Sequence, residues 1–123
     1  MLRLLMIVSG GFEAIFGLST LLAPDMLIAS LGADATQAAI FLARILGAAT
    51  LGLGTAALLA RDQMGTEGGV AAAYGLTLYN VLAALIIVWT ALTLGGAALW
   101  STGLIHAALG ALFVFALIKR RSA

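Results

Sequence analysis

Four residues able to do chemistry each interrupt a long apolar run of this chain: Glu13, Arg44, Asn80 and His106. A carboxylate and a guanidinium can pair, and a carboxyl and an imidazole can exchange protons near neutral pH when burial tunes them. A carboxamide can donate and accept at once. Helical spacing gives each of the four small or polar neighbours on its own face. Glu13 shares a stripe with Gly10, Gly17 and Thr20, and Arg44 with Gln37, Gly47 and Ala48. Asn80 shares one with Thr77, Ala83 and Ala84, and His106 with Thr102, Gly103 and Gly110. All four are therefore expected to point inward. Tyr79, about 100° round the helix from Asn80, is placed to bring its hydroxyl into the same space.

The elements that must position them follow from composition. Of 123 residues, 63% are hydrophobic and 9% charged, the formal net charge is +1 and there is no Cys. Mean hydropathy is +1.18. A water-soluble domain of this length leaves roughly a third of its unfolded-chain surface exposed, and these side chains cannot cover that third with polar groups. The expected solvent is lipid. A hydrocarbon core about 30 Å thick needs roughly 20 apolar residues as a helix, a length met by residues 2–23, 36–60, 70–94 and 97–118. The expected fold is all-α: one integral membrane four-helix bundle, antiparallel and up-down, spanning residues 1–123. Pro24 ends the first helix, Arg61-Asp62-Gln63 with Gly65, Gly68 and Gly69 makes a polar connection, and Gly95-Gly96 makes a tight turn. Asp25 is expected to cap a short outer-surface helix whose apolar side is Met26, Leu27, Ile28 and Leu31, stopped by Gly32.

Lys and Arg set the expected orientation. Arg3, Arg61 and Lys119-Arg120-Arg121 flank one side, whereas the first connection carries only Asp25 and Asp34 and the third no charge. Both termini are expected in the cytoplasm, with Trp89 and Trp100 towards the outer interface. Residues 2–23 resemble a signal peptide in their Arg3 and apolar run. Glu13 within the run, Leu21-Leu22-Ala23 and Pro24 argue for a retained helix. Gly10 to Ser19 resembles Gly68 to Thr77, but the first copy is central in its helix and the second starts in a connection, so no duplication is inferred.

Helices associate in lipid by close packing of small residues, and Gly10, Gly17, Gly47, Gly52, Gly103 and Gly110 are the expected packing positions. At 1.5 Å per residue Glu13 lies about 15 Å below the outer end of its helix, Arg44 about 12 Å and His106 about 13 Å, with Asn80 about two turns deeper. Matching depth makes Glu13 and Arg44 the expected partners. A central charge costs about 2.5 to 3.5 kcal/mol on insertion scales, which leaves two readings of the cluster. In one, Glu13 and Arg44 form a buried ion pair that Asn80 and His106 help to satisfy. In the other, Glu13, Arg44, Asn80, His106 and Tyr79 line a cavity for a ligand head group or carry protons, and a lipid or quinone-like molecule is the class such a cavity would hold.

No catalytic residue, metal ligand set or resident cofactor is expected. His106 is the only His, so a haem lacks its second axial ligand; there is no Cys and no intramembrane Lys. So low a net charge disfavours nucleic acid.

The order of Pro24, a short amphipathic stretch, Phe41-Leu42-Ala43-Arg44-Ile45-Leu46-Gly47 and the later Gly52 and Gly54 resembles small four-helix bacterial membrane proteins, broadly the DoxX-like group. The resemblance implies a bacterial inner-membrane location and places Arg44 and Gly47 in a recurrent second-helix motif. Some such proteins are linked with respiratory or redox complexes. The leading functional expectation is a non-enzymatic accessory or assembly subunit of a larger respiratory, redox or photosynthetic membrane complex, partnered by lipids and by other membrane subunits or further copies of itself. The alternative is a ligand-binding or proton-handling protein, and the weaker one an oligomeric channel or small transporter.

Overall fold

The computed structural model describes residues 1–121, and among these the regular structure is helical throughout: α1 Leu2–Leu22, α2 Pro24–Ser30, α3 Gln37–Ala60, α4 Glu67–Leu94 and α5 Ala97–Arg121. Residues 122 and 123 of the expected bundle, and the Arg121 side chain, lie outside the described set. Four helices, α1, α3, α4 and α5, are long and apolar enough to cross a membrane. Their outward faces carry Leu4, Ile15, Phe41, Leu85, Trp89 and Phe115, all exposed. An all-round apolar helix has no polar face to turn to water, so a bundle of this kind needs an apolar surround.

Side-chain chemistry at the helix ends explains the boundaries. Thr36 caps α3 by accepting from the Ala39 N–H, and Thr66 caps α4 by accepting from the Gly69 N–H, which starts α4 three residues before the sequence spacing suggests. Asp25 does not cap α2. The N-cap is Ala23, Pro24 takes the first turn where its missing N–H is harmless, and Asp25 follows it there. Of the expected apolar side of α2, Ile28 is buried while Met26 and Leu31 are exposed. Gly95 and Gly96 both adopt positive φ, 73° and 96°, in the two-residue α4–α5 turn, a conformation that needs glycine.

The bundle is two closely packed pairs, α1 with α3 and α4 with α5, set more loosely against each other. The α1–α3 seam brings backbone onto backbone. A Cβ on Gly54 would lie 2.5 Å from the Ala14 nitrogen and the Gly10 oxygen, and one on Gly17 would lie 2.6 Å from the Gly47 oxygen. Gly10 faces Ala57 and Gly54, and Gly47 faces Gly17 and Leu21, so residue numbers rise along α1 as they fall along α3. In the second pair Gly103 meets Val88 and Gly110 meets Val81. Gly52 is a correction to the expected packing set: nothing lies within 4 Å of a Cβ placed there, and Gly54 holds the seam instead. Residues 50, 54 and 57 share a stripe at spacings of four and three, from which 52 is turned away.

The pairs converge at one end. Leu2, Leu5 and Met6 of α1, Ala57 of α3, Ala73 and Leu76 of α4, and Phe113, Ala116 and Leu117 of α5 form one buried cluster. Arg3, Arg61, Asp62, Glu67 and Arg120 gather around the same end. Asp62, in the α3–α4 connection, pairs with Arg3 and, at 3.3 Å, with Arg61. Arg120 lines a surface hollow with Gly65, Thr66 and Glu67. The Arg3 guanidinium, and then that of Arg61, hold the Asp62 carboxyl below its ordinary value of 3.8.

Two measurements follow. Gly17→Ala and Gly54→Ala should each lower stability in detergent by about 1 to 3 kcal/mol through overpacking, whereas Gly52→Ala should be neutral or gain about 0.5 to 1 kcal/mol. A depressed carboxylate stabilises the fold above its unfolded-state value and ceases to as it protonates. The melting temperature of the wild type should therefore exceed that of Asp62→Asn by a small, salt-sensitive margin at pH 7, and the margin should vanish as pH falls below the range of 3.8.

Candidate functional site

Directly above the apolar cluster, each element changes character. One turn beyond Met6, α1 presents Ser9 and then Glu13; one turn beyond Leu76, α4 presents Tyr79 and Asn80; and on α5 the order from Phe113 leads back through Leu109 to His106. Ser9, Glu13 and Asn80 are 0% exposed and His106 is 3% exposed. Residues separated by most of the chain meet here because the two pairs pack side by side, α1 against α5 and α3 against α4, with α1 also reaching α4.

Asn80 organises the layer. Its Nδ2 donates to the Ser9 Oγ at 3.1 Å and to the Leu76 carbonyl at 2.8 Å, and its Oδ1 lies 2.9 Å from the His106 Nδ1. The imidazole is held between two aromatic rings, Phe12 at 5.8 Å and Tyr79 at 5.6 Å between centroids, both edge to face at 79° and 81°. Such pairs fix ring orientation as well as adding attraction.

Glu13 is the exception. Its Oε1 lies 3.9 Å from the His106 Nδ1, beyond hydrogen-bond length. The Tyr79 hydroxyl is within electrostatic reach of the carboxyl. The geometry falls short of a formed hydrogen bond, and both Glu13 oxygens are buried without a hydrogen-bond partner among the described residues. Buried Thr50 and Thr77, by contrast, are satisfied by carbonyls of their own helices.

The expected Glu13 and Arg44 ion pair is not formed. Arg44 is exposed, and among the described residues it has no salt-bridge partner. The buried positions of α3 are Ala43, Gly47, Thr50, Gly54 and Ala57, and Arg44 is one residue, about 100°, round from Ala43. Backbone contact along that stripe leaves no room for a guanidinium. Glu13, Asn80, His106 and Tyr79 are brought together as their spacing suggests; Arg44 is not. Ser9, missed in the sequence reading, completes the layer. Its signal was its place one helical turn before Glu13 on the same stripe.

A cavity of about 350 Å³ opens on the side of the layer away from the apolar cluster, bordered by Phe12, Phe16, Tyr79, Ile87, Thr102 and His106 among others. A second space of about 300 Å³ shares Phe16, Leu46, Ile87 and Thr102 with it and reaches Leu27, Ser30 and Leu31 beside α2. The two adjoin across these shared residues and together make a mainly apolar cleft between the helix pairs, with polar groups at its inner end and α2 along its outer end. Among the described residues, no group of His, Asp and Glu is arranged to hold a metal ion. Compared with family models, with curated proteins and with solved structures, the chain matches none.

Replacing Asn80 by Leu would strand the Ser9 hydroxyl and the His106 N–H together, at about 1 to 3 kcal/mol for each buried group left unpaired. Thermal denaturation should show Asn80→Leu to be clearly more damaging than Ser9→Ala, which leaves Asn80 bonded to Leu76 and His106. Equal melting temperatures for Asn80→Leu and wild type would show that the layer does not hold the helices.

Proposed function

We propose that this chain is a multi-pass membrane protein that binds a small lipophilic molecule in the cleft between its helix pairs, with the molecule's polar head at the Tyr79, Asn80 and His106 layer and Glu13 behind it. The observation that carries this reading is the unpartnered Glu13 carboxyl next to the two residues, Tyr79 and His106, through which the layer meets the cleft. A layer serving packing alone would be expected to satisfy its most costly member, since an unpaired buried carboxyl destabilises the fold. A cleft that is apolar along its length and polar at one end suits an amphipathic guest. Glu13 and His106, side by side, are also a pair between which a proton can move during binding.

The proposed topology is antiparallel and up-down, which the opposed numbering of the α1–α3 and α4–α5 contacts supports. Both termini would face the cytoplasm, in keeping with Arg3, Arg61 and Arg120 at the end opposite α2. A bacterial inner-membrane setting of the DoxX-like kind rests on the Pro24, Arg44 and Gly47 pattern alone.

A second reading, an accessory subunit of a larger membrane complex, draws on Arg44. It stands exposed beside Phe41 and Ile45 about 10 Å into α3, where it must either reach the interface along its own stem or meet an acid of another chain. Migration on native gels at the mass of a single chain would count against this reading.

The binding reading is tested by mass spectrometry of protein purified in mild detergent. Wild type should carry one lipophilic compound in near-stoichiometric amount. Ala83→Phe, which fills the cleft, and Glu13→Gln should lose it while keeping their helical content. If Glu13→Gln merely changes the melting temperature and nothing is retained by the wild type, the layer is structural.

A further inference from the structure

The hydrogen bonds of Asn80 decide which proton His106 carries. Main-chain carbonyls only accept, so the Asn80 atom bonded to the Leu76 oxygen is the amide nitrogen, and the same nitrogen serves Ser9. The amide orientation is thereby assigned from its network. The remaining Asn80 atom, Oδ1, is an acceptor and faces the His106 Nδ1 at 2.9 Å. Nδ1 must therefore carry the hydrogen. In a neutral imidazole that leaves Nε2 with a lone pair and no hydrogen.

Everything else that faces the ring leaves Nε2 free. Glu13 approaches on the Nδ1 edge, at 3.9 Å, and Phe12 and Tyr79 hold the ring edge to face. Among the described residues no hydrogen bond is formed by Nε2, and the ring borders the cleft. The cleft walls beside it are apolar apart from the Tyr79 and Thr102 hydroxyls, and among the described residues neither of these is hydrogen-bonded to the ring, so Nε2 is left for a guest.

We infer, resting on the binding reading above, that the guest is a hydroxyl-bearing lipophile, a phenol or alcohol with one apolar chain, whose O–H donates to the Nε2 of His106 while the chain runs along the cleft towards α2. At Nε2 the geometry selects a donor head over an acceptor head. A ketone, ester or ether would set lone pair against lone pair and leave Nε2 desolvated and unpaired. Sites built to bond a substrate hydroxyl discriminate strongly against analogues that lack it. Asn80 is then a positioning residue, acting on the guest only through the tautomer it imposes.

The matched probes are para-nonylphenol and its O-methyl ether, equal in body and chain and different only in the hydrogen. Titrated into wild type in nanodiscs, the phenol should bind at least about tenfold more tightly than the ether. Because His106 is the only histidine, a ¹⁵N-histidine NMR spectrum reports this ring alone. It should show Nδ1 protonated and Nε2 bare, with Nε2 shifting on addition of the phenol and not of the ether. Equal binding of both probes, tighter binding of the ether, or a ring protonated at Nε2 would each overturn the hydroxyl inference while leaving the cleft a binding site. Binding of neither probe, together with no lipophile retained on purification, would overturn the binding reading as well. Asn80→Asp, which keeps an acceptor for Nδ1, should preserve the phenol preference, and Asn80→Leu should lose it; the reverse order would refute the positioning role.

Discussion

Backbone contact between α1 and α3, made through Gly10, Gly17, Gly47 and Gly54, is the constraint from which the rest of the arrangement follows. Apolar surroundings give two apolar helices no reason to associate, so attraction has to come from close packing, which small residues permit. Once the two backbones touch, the rotation of each helix is set. On α3 the seam takes Ala43, Gly47, Thr50, Gly54 and Ala57, which turns Arg44 outward. On α1 the buried stripe that contains Gly10 and Gly17 also contains Ser9 and Glu13, which places those two polar groups between the helix pairs.

The second pair answers with a different material. Where α4 and α5 meet α1 at the charged end, the contact is made by bulky side chains, Leu76 and Phe113 against Leu5 and Met6, and it is sealed. A turn further along, Asn80 and His106 take over, and beyond them the pairs part into the cleft. Dense apolar packing, a hydrogen-bonded layer and an open cleft thus succeed each other along the bundle. The layer is rigid because each of its bonds limits the next: Leu76 orients Asn80, Asn80 orients His106, and Phe12 and Tyr79 hold the ring plane. Glu13 is packed into this rigid frame without a bond of its own, a costly position for a carboxyl and the reason the site reads as more than a structural contact.

The outer end is organised more lightly. α2 packs on the bundle through Ile28, with Met26 and Leu31 left exposed, and it is the element that flanks the far end of the cleft. The charged end is held instead by Arg3, Asp62 and Arg61, in pairs exposed to solvent whose value depends on ionic strength.

Length and hydropathy by themselves determined that this chain makes four long apolar helices, where Pro24 and Gly95-Gly96 break it, and that Glu13, Asn80 and His106 interrupt those helices at costly positions. These are local properties, carried by residue type and by spacings of three and four. Which helices touch could not be read in the same way, because small residues recur on several faces of every helix, and Gly52 and Gly54 look alike until one of them meets Ala14. Pairing Glu13 with Arg44 was reasonable from depth, but depth says nothing about rotation, and the glycine seam that fixes rotation also removes the space an ion pair would need. The tertiary structure alone decided that His106 is Glu13's neighbour, that Ser9 belongs to the layer, and that the single histidine, bonded through one nitrogen to Asn80, borders a mainly apolar cleft, since each of these depends on helices meeting at one height.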